Sequence, residues 1–198
     1  MPELPEVETM CRGIDSVVGN RIESVHRPPC RLRPSLLKPR IDAFDRRTRG
    51  RRISSIGRRG KRVLIYLDDA QVIVIEPRMT GLVLLVDPPT DEHVRLCLQL
   101  SGGQDSQILI WDRRGLGTIQ LLSNREFSER VDERLGVVAL EITAEQLRRQ
   151  LGSSRRQIKV ALLDQSAVAG IGNLYAAEIL FLSGVDPRSR CDKLSGPQ

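Results

Sequence analysis

Cysteines are few and far apart in this 198-residue chain: Cys11, Cys30, Cys97 and Cys191 include no pair at the short spacing that zinc sites use. The two histidines, His26 and His93, are equally separated. A zinc site local in sequence is therefore excluded, and the four thiols are expected to be reduced, with Cys11 and Cys97 in the core. No apolar run approaches the roughly 18 residues of a membrane span, and no charged-then-apolar leader precedes the first residues. The expectation is a cytosolic protein without a membrane partner. Internal repeats and low-complexity tracts are also missing. Lysine is scarce, 4 residues against 27 arginines; the excess suits planar phosphate contacts, although genome composition explains it equally well.

What is present is charge, unevenly spread. The net charge is +6, yet Arg27 to Arg62 alone holds fourteen Lys or Arg against Asp42 and Asp45, a local +12 that leaves −6 for the remainder. Such asymmetry is the footprint of a polyanion-binding surface, with a solvated basic loop as the alternative. A hydrophobic content of 40% over this length supports one sizeable packed domain or two small ones.

From Pro5 onward, Val7, Met10, Cys11, Ile14 and Val18 recur at helical spacing, with Gly19 as the closing residue. Strand-like segments follow over 21–26, 53–58, 62–67, 71–76, 81–86, 93–100 and 107–112, separated by turns such as Asp68-Asp69-Ala70 and Ser101-Gly102-Gly103. The texture changes near Ser123. Thr143 with Gln146 and Ser154 with Gln157 have capping-box spacing, and a third helix is expected from Asn173 to Ser183, closed by Gly184. The expected fold class is α+β: a two-layer antiparallel β-sandwich with an N-terminal helix over 1–122, a link over 123–142, and a partial helical domain over 143–198.

The most informative segment is the N-terminus. Once the initiator methionine is removed, Pro2 carries a secondary amine that titrates near pH ~8, and Glu3 stands beside it. An amine nucleophile with an adjacent carboxyl is the pairing that covalent catalysis with proton transfer requires, while proline is also a common second residue. The run Pro2-Glu3-Leu4-Pro5-Glu6-Val7-Glu8-Thr9 resembles the N-terminus of the formamidopyrimidine-DNA glycosylases, bacterial enzymes that excise oxidised purines. Leu4 distinguishes it from the endonuclease VIII branch, which usually has glycine there. The resemblance implies that Pro2 attacks the sugar C1′ and that Glu3 assists opening of the deoxyribose ring.

The same resemblance extends along the chain. Lys61, in Arg58-Arg59-Gly60-Lys61-Arg62, reads alone as an exposed turn lysine, but matches the family's lysine on a cleft hairpin that contacts the phosphate beside the lesion. Met79, in Pro77-Arg78-Met79-Thr80-Gly81, reads alone equally well as a core plug. It matches the methionine that the family inserts into the duplex where the base has flipped out. Glu76-Pro77-Arg78 departs from the family's usual His-Leu-Gly. In Trp111 to Gly117, Arg114 matches the arginine that hydrogen-bonds the orphaned cytosine, and Leu116 stands where a wedging phenylalanine is usual.

Asp164-Gln165-Ser166 and the run Gly170 to Glu178 resemble the family's helix-two-turn-helix signature. Asn173 and, one helix earlier, Lys159 are then expected to contact phosphate, although an N-cap role would also explain Asn173. The resemblance implies a glycosylase/AP lyase acting as a monomer on duplex DNA that contains oxidised bases or abasic sites, in the bacterial cytoplasm and nucleoid. The family is longer than this chain. Its remaining helices, its base-capping loop and its C-terminal four-cysteine zinc finger have no counterpart here, so the expectation is a truncated member with no cofactor of its own. Zinc is expected in full-length members. The alternative is a non-catalytic damaged-DNA-binding relative, or an inactive fragment.

Overall fold

The computed structural model describes residues 2–194, and the chain divides into two compact units, residues 1–128 and 129–198. The first unit opens with helix α1 (Leu4–Gly13), a 3-10 turn over Asp15–Val17 and strand β1 (Arg21–His26). Next come β2 (Leu36–Lys38), α2 (Ile41–Thr48), β3 (Ile53–Arg59), β4 (Arg62–Leu67), β5 (Gln71–Glu76) and β6 (Gly81–Leu84). It closes with β7 (Val94–Ser101), β8 (Gln107–Asp112), β9 (Thr118–Ser123) and the short helix α3 (Asn124–Phe127).

Two sheets result, one ordered β1-β7-β8-β6 and the other β2-β9-β5-β4-β3. The pairings are antiparallel except at one edge, where Leu36 to Lys38 run parallel to Thr118 to Gln120. Alternate residues supply the core between the sheets. Val63, Ile65 and Leu67 of β4 and Ile73 and Ile75 of β5 join Leu96, Leu98 and Leu100 of β7 and Ile108 and Ile110 of β8, all buried. Val7, Met10, Cys11 and Ile14 add one face of α1 to the same cluster, which anchors the N-terminus. The α1 pattern ends earlier than the spacing implied, since Val18 is exposed and Gly19, at φ +95°, follows the 3-10 turn.

The expected strands form, β6 ending at Leu84 rather than at 86, but α2, β2 and β9 were not anticipated. Ile41, Phe44 and Thr48 do lie at i, i+3 and i+7, and Phe44 and Thr48 are fully buried; the surrounding arginines mask so short a stripe. Strand β9 lies inside its sheet and buries Ile119, Leu121 and Leu122. Its first four residues alternate, with Ile119 and Leu121 buried and Thr118 and Gln120 half-buried, so the strand signal was present in the sequence.

In the second unit β10 (Val137–Val138) and β11 (Val168–Ala169) pair in parallel, and three helices follow the chain: α4 (Ala144–Leu151), α5 (Ile158–Leu162) and α6 (Asn173–Leu182). The Thr143 capping box forms: Thr143 Oγ1 accepts from Gln146 N–H at 3.2 Å, and Thr143 N–H donates to Gln146 Oε1 at 2.9 Å. The box expected at Ser154 does not. Gln157 is the N-cap of α5, and Ser154 Oγ accepts instead from Arg156 N–H at 3.2 Å. Leu151, Ile158, Leu162, Ile171, Ala176 and Leu180 form this unit's core. Gly184, at φ +63°, closes α6 and donates to the Phe181 carbonyl at 3.1 Å. Ile179, Phe181 and Leu182 are exposed, the last two by 82% and 80%.

Candidate active site

Glu3 is the N-cap of α1 and is 3% exposed, while Pro2 before it is half-buried. The Glu3 N–H donates to Glu6 Oε2 at 2.9 Å and its carbonyl accepts from Val7 N–H at 3.1 Å, so the residue next to the candidate nucleophile is fixed by the first helical turn. One turn on, Cys11 Sγ–H donates to the Gly57 carbonyl of β3 at 3.2 Å. Burial pushes that thiol up to about 11, which keeps it protonated and unreactive.

Lys61 sits in the β3–β4 turn behind Gly60, whose φ of +57° suits glycine. It is half-buried. Burial lowers its pKa, and the carboxylates of Glu3 and Glu76 act in the opposite direction. The fold therefore brings Glu3 and Lys61, fifty-eight positions apart, within electrostatic reach of each other.

Met79 projects from the turn between β5 and β6 and is 41% exposed, which sets aside its reading as a core plug. The turn is tightly built. Arg78 has φ +58°, Gly81 N–H donates to the Pro77 carbonyl at 3.0 Å, and a Cβ on Gly81 would lie 2.5 Å from that carbonyl oxygen. The Arg78 guanidinium turns back onto Glu76 at 3.1 Å, and Arg62 approaches the same carboxylate at 3.4 Å.

The β8–β9 loop carries exposed Arg114 and half-buried Leu116. Between them Gly115 has φ +61°, and an added Cβ there would meet the Arg33 carbonyl at 2.1 Å. Leu116 lines a surface hollow of about 640 Å³ with Arg33, Leu36 and Arg40 among others. The loop hangs from Asp112, which is 1% exposed and accepts from Gly117 N–H at 2.7 Å, Thr80 Oγ1 at 2.7 Å, Arg114 N–H at 3.2 Å and Ser35 Oγ at 3.2 Å. Burial raises its pKa, but those donors outweigh burial and hold the carboxyl below its ordinary range.

Sequence reasoning did not single out Asp112, Thr80 or Arg95. Arg95 is the one with a visible signal: a lone charge in the apolar strand Val94-Arg95-Leu96-Cys97-Leu98. It is 4% exposed and donates to the Asp112 carbonyl at 2.7 Å and the Arg113 carbonyl at 3.2 Å.

In the second unit, Gln165 shapes the two-turn link. Its Nε2 donates to the carbonyls of Leu163 (3.0 Å) and Ile171 (2.9 Å), and its Oε1 accepts from Gly170 N–H at 3.0 Å. Ser166 Oγ–H and the Arg156 guanidinium, the two largest influences, hold the neighbouring Asp164 at about 2. The N-cap of α6 is Gly172. Asn173 is therefore the first helical residue, exposed, and the capping explanation for it falls away. Lys159 is half-buried on α5 and borders a hollow of about 520 Å³ with Phe181 and Asp186.

Comparison with known proteins agrees with this architecture. Residues 1–119 match the model of the formamidopyrimidine-DNA glycosylase N-terminal domain, and residues 136–198 match that of the formamidopyrimidine-DNA glycosylase H2TH domain. The chain belongs to the formamidopyrimidine-DNA glycosylase family. It is 38% identical to the Bacillus licheniformis formamidopyrimidine-DNA glycosylase, over 100% of this chain and 72% of that protein. The Bacillus subtilis member is also 38% identical, over 98% and 71%. Among solved structures, Lactococcus lactis Fpg in complex with DNA containing an abasic site superposes with a TM-score of 0.85 at 28% identity, covering 98% of this chain and 72% of that one. MutM in complex with DNA containing carbocyclic 8-oxo-G gives 0.83 at 29% identity, over 98% and 73%.

Among the described residues no group of three or more His, Cys, Asp or Glu could hold a metal ion. No described helix is long and apolar enough to cross a membrane.

Proposed function

We propose that this family member is a base-excision-repair glycosylase with AP lyase activity, acting as a monomer on duplex DNA that contains oxidised purines or abasic sites. The observation that carries the reading is that Glu3, buried at the N-cap of α1, lies near enough to Lys61 on the β3–β4 hairpin for its carboxylate to act on that lysine. An amine at Pro2 has beside it a proton-transfer group and a cation, the set that imine chemistry on a sugar phosphate requires.

The steps follow from these groups. With Met1 removed, the Pro2 nitrogen forms a bond to C1′ and the N-glycosidic bond breaks, the base leaving with a proton. Glu3 delivers a proton to O4′ as the ring C1′–O4′ bond opens, giving an iminium between Pro2 and C1′. The iminium acidifies the C2′ proton; its loss expels the 3′ phosphate, a second elimination expels the 5′ phosphate, and hydrolysis frees Pro2. Lys61 grips the backbone phosphate beside the lesion and offsets negative charge as the strand is cut.

In this reading residues 1–122 form the catalytic domain, 123–142 the link, and 143–198 a helix-two-turn-helix domain whose Asn173 and Lys159 contact phosphate. Met79 fills the space of the extruded base, an apolar wedge that offsets part of an unstacking cost of a few kcal/mol. Arg114 reads the orphaned cytosine, with Leu116 as the wedge beside it.

Borohydride trapping tests the chemistry. Protein with a free Pro2, mixed with abasic duplex and reduced, should leave a covalent adduct, and an uncleaved N-terminal tag should abolish it. Equal trapping by the tagged protein places the nucleophile elsewhere. Binding to the abasic duplex without any adduct points instead to a non-catalytic damaged-DNA binder.

A further inference from the structure

Thr80 and Arg114 stand on different loops and share one carboxylate oxygen. Thr80, next to Met79 in the β5–β6 turn, donates through Oγ1 to Asp112 Oδ1 at 2.7 Å, and the Arg114 N–H approaches the same oxygen at 3.2 Å. The Arg114 N–H also lies 3.2 Å from Thr80 Oγ1, closing a three-membered ring of contacts. The second oxygen, Oδ2, is held by Gly117 N–H and Ser35 Oγ, and Arg95 clamps the backbone behind it through the Asp112 and Arg113 carbonyls. A carboxylate excluded from water with its lone pairs satisfied is costly to disturb, so the two loops cannot move apart without breaking charged hydrogen bonds.

Resting on the reading of Met79 as the wedge and Arg114 as the reader of the orphaned base, we propose that Asp112 is a positioning residue that locks the two loops together through Thr80. Wedge insertion and reading of the opposite base then form one recognition step. A tilt of the Met79 turn moves the oxygen on which the Arg114 backbone rests, and an ill-fitting opposite base at Arg114 is felt at Met79. Asp112 itself is too deeply buried to touch DNA, so its effect on specificity passes through Thr80 and Arg114.

The test is a double-mutant cycle on opposite-base discrimination, taken as the ratio of kcat/KM for a lesion opposite cytosine and opposite adenine. Met79→Ala, Arg114→Ala and the double variant are compared in the wild-type background and in Thr80→Val, which keeps the side-chain volume and removes the hydroxyl. In the wild-type background the combined loss should depart from the product of the single losses by about threefold or more, the behaviour of coupled sites. In Thr80→Val the losses should simply multiply, and Thr80→Ser should restore the coupling; thermal melts check that each variant is folded. Multiplicative losses in the wild-type background, or coupling that survives Thr80→Val, would overturn the proposal. Full discrimination in Arg114→Ala alone would instead remove the underlying reading of the loop.

Discussion

Arg58 donates through Nε to Glu8 Oε2 at 3.0 Å, joining strand β3 to helix α1. The same guanidinium donates through Nη1 to the Gly60 carbonyl at 3.2 Å. One side chain thus ties the helix capped by Glu3 to the turn that carries Lys61.

Arg58→Ala should therefore lower stability by about 1 kcal/mol, the scale of a charge-assisted but partly exposed bond, and slow borohydride trapping. The Glu8 carboxyl is held below its ordinary 4.5 by Arg58 first and Arg12 second, against burial. A carboxyl lowered in the folded state contributes its stability above its unfolded value, and loses it as pH falls through the lower folded value. Acid unfolding curves from pH about 6 to 3 should show this loss in the wild type and a smaller one in Arg58→Ala. Superimposable curves would mean that the pair contributes nothing.

Lys61→Ala should weaken binding to every duplex sequence alike and reduce the slope of log K against log salt by about one, as loss of one phosphate contact does. Burial already lowers the Lys61 pKa, and Glu76 acts to raise it. Glu76→Gln should accordingly move the alkaline limit of DNA binding to lower pH, read from a pH series of binding isotherms. An unmoved limit would show that Lys61 is not the group titrating there.

Neighbours on α6 should behave oppositely. Leu180 is 4% exposed within the second core and Phe181 is 82% exposed. Leu180→Ala should cost about 2–5 kcal/mol, whereas Phe181→Ser should stay within about 0.5 kcal/mol and raise solubility. Urea unfolding of the two variants decides it; a large loss in Phe181→Ser would mean that this face is covered in solution.

The fold was legible where one rule governed each residue. Short apolar runs bounded by turn residues placed β4, β5 and β8 at their observed bounds, and most of the residues in each are buried. Strand β9 was missed, although Ile119 and Leu121 alternate there with Thr118 and Gln120, as was α2, whose short apolar stripe is hidden among arginines. Glu3, Lys61, Met79 and Arg114 could be marked from local motifs. That Lys61 comes within electrostatic reach of Glu3, or that Thr80 bonds Asp112 across thirty-two positions, depends on strand order, which no local motif encodes. Ser154 shows the converse: its spacing to Gln157 is right for a capping box, yet Gln157 takes the cap position itself.

The parallel edge pairing has a bearing on how the molecule behaves in crowded solution. An unpaired strand edge is a template on which a second chain can add, and long flat edges drive amyloid-like growth. Here the outermost strand is only Leu36 to Lys38, flanked by Pro34 and Pro39, which have no N–H to donate, and ending in a charged lysine. A neighbouring chain would find a ladder three residues long. Sheet extension at that edge is thereby discouraged, while the opposite side of the same strand stays bonded to β9 beside the loop that bears Arg114.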